Sequence, residues 1–220
     1  MKTYFTKTPA IFMRFFSNYT WRFSLDKKEI YLTFDDGPTP EITHFVLDQL
    51  QKYSAKATFF CIGKNIKKHP EIFHQIISDG HSVGNHTNNH LNGWKNNNAT
   101  FLENTLECEN VILSTVDNFK NSKFKTQNSK LFRPPYGKIK KSQAKELIKN
   151  NYKIIMWSVL SADFDTSISK DKCLDNVLKN TKNGSIIVFH DSIKAAEKLK
   201  FTLPKVLEYY AKKGVVFKAI

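Results

Sequence analysis

The chain has 220 residues, 40% hydrophobic and 25% charged, a globular balance that suits one domain with one sizeable core. No stretch approaches the ~20 apolar residues needed to span a bilayer, which excludes a transmembrane span. The net charge of +14 comes from lysines scattered along the chain with no Arg-rich or aromatic-interleaved segment, so a solvated basic surface is expected and a nucleic-acid partner is not.

The N-terminus, MKTYFTKTPAIFMRFF, carries an apolar patch interrupted by Pro9 and Arg14, with no small-residue cleavage site after it. Residues 1–28 are therefore expected to be an extension packing on the domain that follows at 29–220. The absence of a recognisable export signal favours a cytoplasmic or membrane-peripheral location. Cys61, Cys108 and Cys173 are widely spaced and form no C-x-x-C, so they read as buried, reduced thiols rather than a disulfide framework or a zinc knuckle.

Strands are predicted at 30–34, 57–61, 81–84, 130–133, 153–159, 185–189 and 215–218. Between them, helices are predicted at 41–52, with Thr39–Pro40 as its N-cap and first-turn proline, and at 71–78, after Pro70 and before Gly80. Further helices are predicted at 100–116, 142–150, 170–180 and 203–213, the last ending at Gly214. The polar stretch 117–129 reads as a loop. Strands alternating with helices imply an α/β domain with a parallel sheet. Seven of them in one domain of this size point to a closed or nearly closed (β/α) barrel, with an open doubly wound sheet as the alternative.

In parallel α/β folds, chemistry gathers at the C-terminal ends of strands. Five predicted strands here end in or lead to reactive side chains: Asp35–Asp36, His86 with His90, Arg133, Asp163, and His190–Asp191. His86 and His90, four apart, share one face if they lie on a helical turn, a spacing that fits a divalent metal. With an aspartate they make two imidazoles and one carboxylate, a set that leaves metal positions open for water and substrate. Asp36-Gly37-Pro38 is also ordinary turn chemistry, but that does not account for a second acid beside an apolar strand. His190 ends an apolar run, where a structural histidine is common; beside a metal site it is a candidate general acid. Arg133 and Asp163 have opposite charges and read either as a structural ion pair or as groups orienting catalytic residues. His44, His69, His74 and His81 are not assigned to the site.

Taken together, these residues resemble the polysaccharide deacetylase family, family four of the carbohydrate esterases with its NodB-type homology domain. The five motifs follow in the family's order: Thr33-Phe34-Asp35-Asp36-Gly37-Pro38, His86-Thr87-Asn88-Asn89-His90, Arg133-Pro134-Pro135-Tyr136, Asp163-Phe164 and Val188-Phe189-His190-Asp191. The resemblance runs from about Glu29 to the C-terminus and implies a distorted (β/α) barrel of about seven parallel strands. It implies a zinc- or cobalt-type metal held by Asp36, His86 and His90, with Asp35 as general base and His190 as general acid. It further implies that the Tyr136 backbone N–H is an oxyanion donor, that Arg133 holds Asp35 and that Asp163 tunes His190. The substrate it implies is an acetylated amino-sugar glycan of peptidoglycan or chitin type, or its precursor. Leu160, Phe164 and Val188 are expected to form a slot for the acetyl methyl, and Trp94 and Tyr136 to stack on sugar. Phe164 stands where the family carries Trp, and Leu160 where many relatives carry another acid. Two other readings fit part of the pattern. An iron oxygenase also uses two histidines and a carboxylate, but the α/β alternation, Asp35 and His190 argue against it. A glycan-binding module that has lost activity is opposed by the presence of all the matched polar positions.

Overall fold

Strands β1 (Glu29–Asp35), β2 (Ala57–Cys61), β3 (Ser82–Asn85), β4 (Lys130–Phe132), β5 (Tyr152–Ile154), β6 (Val159–Leu160), β7 (Ile186–His190) and β8 (Val216–Phe217) form a single sheet. The computed structural model describes residues 4–117 and 130–220, so the predicted loop 117–129 lies, Asp117 apart, outside the described residues. Every strand pairing is parallel, in the order β5-β4-β3-β2-β1-β7-β6, with β8 against the start of β1. The central strands are buried almost end to end, as expected when both faces of a parallel sheet are covered.

The helices are α1 (Ala10–Phe15), α2 (Ile42–Lys52), α3 (Gly63–Lys68), α4 (Pro70–Ser78), α5 (Asn98–Asp117), α6 (Lys141–Lys149), α7 (Lys170–Leu178) and α8 (Ala196–Lys212). Three expectations need correction, the first being the helix predicted at 203–213, which starts at Ala196 and holds Pro204 inside it. Thr39 does not cap α2: Glu41 is the N-cap residue at φ 62°, and the Thr39 amide donates instead to Thr43 Oγ1 at 2.8 Å. The predicted strand 153–159 is two strands, β5 and β6. The intervening carbonyls of Ile155 and Met156 accept from the Arg133 guanidinium, each at 3.1 Å, instead of from a neighbouring strand. Strands β5 and β6 end the sheet on either side and do not pair with each other, so the barrel is a curl that stays open. Helix α3 had no sequence signal, since its N-cap, Ile62, offers no side-chain acceptor.

Register is pinned by a row of aromatic rings. Phe34 on β1 is the partner of Phe59 on β2 and of Phe189 on β7, with ring centroids 5.1 and 6.0 Å away. These rings join the main core with residues of α2 and α8. Because side chains alternate along a strand, Thr33 and Asp35 then face the other way, where Arg133 is buried. A slip of one residue would expose the phenylalanines and remove the acid from its partner.

Residues before β1 are tied to the sheet by isolated bridges from Lys7 to Val159, Thr20 to Ile155 and Arg22 to Ser185. The three cysteines are free and buried. Among the described residues, no helix is long and apolar enough to cross a membrane.

Candidate active site

Neighbouring residues on an extended strand point to opposite faces, yet Asp35 and Asp36 border the same cavity. The backbone resolves this by turning at Asp36, which has φ 82°. Asn65 Nδ2 donates to the Asp36 carbonyl at 2.7 Å and fixes the turn. The next amide, Gly37 N–H, donates to Asp191 Oδ1 at 3.0 Å, and Asp191 Oδ2 accepts from Thr43 Oγ1 at 2.6 Å. A Cβ on Gly37 would lie 2.0 Å from Asp191 Oδ2, so only glycine fits there. Burial pushes the Asp191 carboxyl up to about 7, against the bonds from Thr43 and Gly37. Asn65 was not among the expected site residues, and Asp191 was named at its strand end and in the motif without a role.

The segment carrying His86 and His90 is not a helical turn, as the sequence spacing had been read. It is a loop with Thr87 at φ 63° and His90 at φ 57°. Its amides are held mainly by side chains, although the Asn88 amide also reaches the Asn104 carbonyl of α5 at 3.1 Å. Thr87 N–H donates to Asn85 Oδ1 at 2.8 Å, and Asn88 and Asn89 N–H both donate to Asn104 Oδ1 at 3.0 Å. His86 Nδ1 donates to the Arg133 carbonyl at 2.8 Å, which leaves Nε2 as the unprotonated nitrogen. Burial pushes His86 down to about 4, so the ring is neutral at pH 7.

His86 Nε2 and His90 Nε2 lie 3.6 and 3.2 Å from Asp36 Oδ1. That oxygen is buried and has no hydrogen-bond partner. One ligand atom from each of Asp36, His86 and His90 falls within 4.8 Å of the others. An orphaned carboxylate oxygen facing a neutral imidazole with a fixed tautomer fits a divalent cation, and Arg133 O supplies the outer contact that orients the ring.

Arg133 and Asp163 do not pair with each other. Arg133, with no exposed surface, donates through Nη1 to Asp35 Oδ1 and to Thr33 Oγ1, both at 2.7 Å, and its guanidinium lies 4.1 Å from the Phe60 ring centroid. Every other donor direction that is engaged goes to the Ile155 and Met156 carbonyls already described. Asp163 instead clasps His190: Oδ1 accepts a hydrogen bond from Nδ1–H and Oδ2 accepts one from the backbone N–H, both at 2.7 Å. Burial alone would lower the His190 imidazole, but Asp163, with Asp36 and Asp35 behind it, outweighs that and raises it to about 9.

The cavity has a volume of about 430 Å³. Asp35, Asp36, His86, His90, Tyr136, Leu160, Phe164, Val188 and His190 all line it, as anticipated from the sequence. Tyr136 sits at φ 61° with its hydroxyl 3.1 Å from His90 Nδ1. Trp94 is a correction: it does not line the cavity but is 61% exposed, its Nε1–H on the Ile139 carbonyl and Lys138 over its ring. Tyr4, Trp157, Lys138 and Lys194 line the cavity without having been anticipated. They belong to no motif, and only the folded chain brings them there.

Comparison with known proteins agrees with this geometry. The family model described as polysaccharide deacetylase matches residues 23–155. A peptidoglycan-N-acetylglucosamine deacetylase of Bacillus cereus is 36% identical over 79% of this chain, which spans 60% of that relative's length. A second Bacillus cereus protein of the same name is 33% identical, over 90% of this chain and 89% of its own. The crystal structure of the Bc1960 peptidoglycan N-acetylglucosamine deacetylase superposes with a TM-score of 0.84 at 32% identity, covering 97% of this chain and 95% of the other.

Proposed function

Because the chain belongs to the polysaccharide deacetylase family, we propose that it hydrolyses the acetamide of an N-acetylated amino-sugar glycan, with Asp35 as general base and His190 as general acid. The observation that carries this reading is that Asp35 and His190 end neighbouring strands and border one cavity with the Asp36, His86 and His90 cluster. Named relatives acting on N-acetylglucosamine in peptidoglycan support that sugar as substrate. Lys138 and Lys194 in the cavity lining suit a glycan that also carries carboxylates.

Asp36, His86 and His90 would hold the metal, with zinc favoured by the nitrogen and oxygen donor set and cobalt as the substitute. When bound, a divalent metal polarises an amide carbonyl and makes water a better nucleophile. The chain's own residues handle the protons. Asp35, held by Arg133, takes a proton from the attacking water. The oxygen that becomes negative lies near the Tyr136 amide, which donates to it. His190, charged because Asp163 holds its Nδ1 proton, gives its Nε2 proton to the departing amine as the C–N bond breaks. A free amine anion is too basic to leave, so this transfer contributes about 10²–10⁴-fold. Leu160, Val188 and Phe164 enclose the acetyl methyl. The reading is tested by acetate release from a panel of N- and O-acetylated glycans after loading with Zn²⁺ or Co²⁺. Release from N-acetylated oligosaccharides is expected, and its absence across the panel rejects the assignment.

A further inference from the structure

Residues 4–8 run antiparallel along the outer edge of β6. The Leu160 amide donates to Thr6 O at 2.9 Å, the Thr8 amide to Ser158 O at 3.0 Å, and Thr8 Oγ1 to Trp157 O at 2.8 Å. This strap, like Asp163 and His190, lies outside residues 23–155, which the family model matches. It reaches the catalytic cavity, where Tyr4 forms part of the wall. The Tyr4 ring meets Phe164 edge-on at 5.5 Å, and Phe164 meets His190 edge-on at 5.0 Å. The Tyr4 hydroxyl donates to Asp165 Oδ2, two residues after the carboxylate that holds His190. Phe164 is smaller than the tryptophan expected at its position, and Tyr4 packs against it from the strap.

Beside the cavity lies a second groove of about 180 Å³, lined by Tyr4, Phe5, Phe12, Trp21, Tyr136 and Trp157 among others. The two spaces share Tyr4, Tyr136, Gly137, Trp157 and Leu160. Phe5 and Phe12 touch each other at 5.8 Å and remain 59% and 43% exposed, and Tyr136 is 61% exposed. Three open aromatic rings therefore lie beside the reaction cavity. Aromatic faces do suit the C–H face of a pyranose, since they remove apolar surface from water without requiring a charge.

Resting on the deacetylase reading above, we infer that the N-terminal strap and α1 build a subsite for the sugar unit next to the one being deacetylated, with Phe5 and Phe12 as its outer wall. The occupant is a pyranose ring of the same glycan chain, because the groove shares five wall residues with the cavity and a polymeric substrate must leave the cavity along the chain. Affinity should therefore grow with chain length up to the unit that fills the groove.

The test measures kcat and KM on N-acetylated oligosaccharides of one to five sugar units for wild type, Phe5→Ala/Phe12→Ala and Phe5→Tyr/Phe12→Tyr, each metal-loaded. Wild type is expected to gain in kcat/KM with length. The alanine variant should lose about tenfold on the longest substrate through KM, on the scale of one or two lost ring contacts. Its rate on the shortest substrate and its melting temperature should be unchanged, and the tyrosine variant should restore the gain. Equal loss at every length, or no loss at the longest, overturns the subsite while leaving the deacetylase reading intact. Failure of wild type to release acetate from any of these substrates rejects the deacetylase reading, and the subsite with it.

Discussion

Asp35 and His190 are register partners on adjacent parallel strands, set opposite each other at the ends of β1 and β7. A carboxylate and an imidazole placed this way need no loop to find each other, because the ladder of the sheet holds them. Each is then fixed by a buried partner of opposite charge, Arg133 for Asp35 and Asp163 for His190. The two roles are separated by these partners rather than by the strands.

The His190–Asp163 pair sets a pH dependence. His190 titrates at about 9, above its ordinary 6.5. The stabilisation from this pair is thus complete below about pH 6.5 and is lost as pH rises through about 9. Turnover should fall over the same alkaline range as the acid loses its proton. Asp163→Asn keeps the size and removes the charge, so the alkaline limb of a kcat/KM profile should move to lower pH. A limb that stays in place would mean that another group titrates there.

Removing a metal ligand should separate binding from folding. His86→Ala deletes a neutral imidazole whose Nε2 faces Asp36. Elemental analysis should find metal in the wild type and strongly reduced content in the variant. Chelation should lower the melting temperature of the wild type and leave the variant nearly unaffected, since only a bound ion stabilises the fold. Equal metal content in both proteins rejects this ligand set.

Arg133 anchors the fold as well as the Asp35 carboxylate. It is fully buried and spans Asp35, Thr33 and two backbone carbonyls at the place where the sheet fails to close. Arg133→Ala leaves the Asp35 charge buried without its partner, a change that costs about 3–5 kcal/mol. Urea unfolding should show a loss of that size. Arg133→Lys restores the charge but not the fork, and should recover part of it. A loss below about 1 kcal/mol for the alanine variant would contradict this account, being within the range of an exposed pair.

Gly37→Ala should harm both stability and turnover. The added methyl would overlap Asp191, which ties β7 to the turn that aims Asp36. Metal affinity should drop along with the melting temperature, measured on the same samples. Retention of wild-type metal content and stability would show that Asp191 can move aside freely.

Much of the site was legible in the sequence, for identifiable reasons. Asp35, Asp36 and His190 are polar residues at the ends of apolar β-branched and aromatic runs, and His86 and His90 follow the short strand Ser82–Asn85. That pattern locates the C-terminal edge of a parallel sheet without coordinates. The strand at 57–61 was recovered in full because all five of its residues are buried. The family resemblance supplied the role of each residue, and spacing supplied only their proximity. The sequence misled where a backbone left its regular path. The spacing of His86 and His90 fits a helical turn equally well, and nothing local reveals that asparagine side chains hold a left-handed loop instead.

What the sequence determined by itself is therefore the alternation of strands and helices and the reactive residues at the strand ends, because burial periodicity and turn chemistry are written in neighbouring positions. The family resemblance implied the partnerships of Arg133 with Asp35 and of Asp163 with His190, and the tertiary structure supplied their geometry and physical reason. Arg133 chose Asp35 over Asp163 because it lies inside the curl, 98 residues away along the chain from the carboxylate it holds. The break between β5 and β6 follows from the same side chain taking two carbonyls. Tyr4 reached the cavity, and Trp94 stayed outside it, because strand pairing and loop path place them there, and neither depends on the residues beside them in sequence.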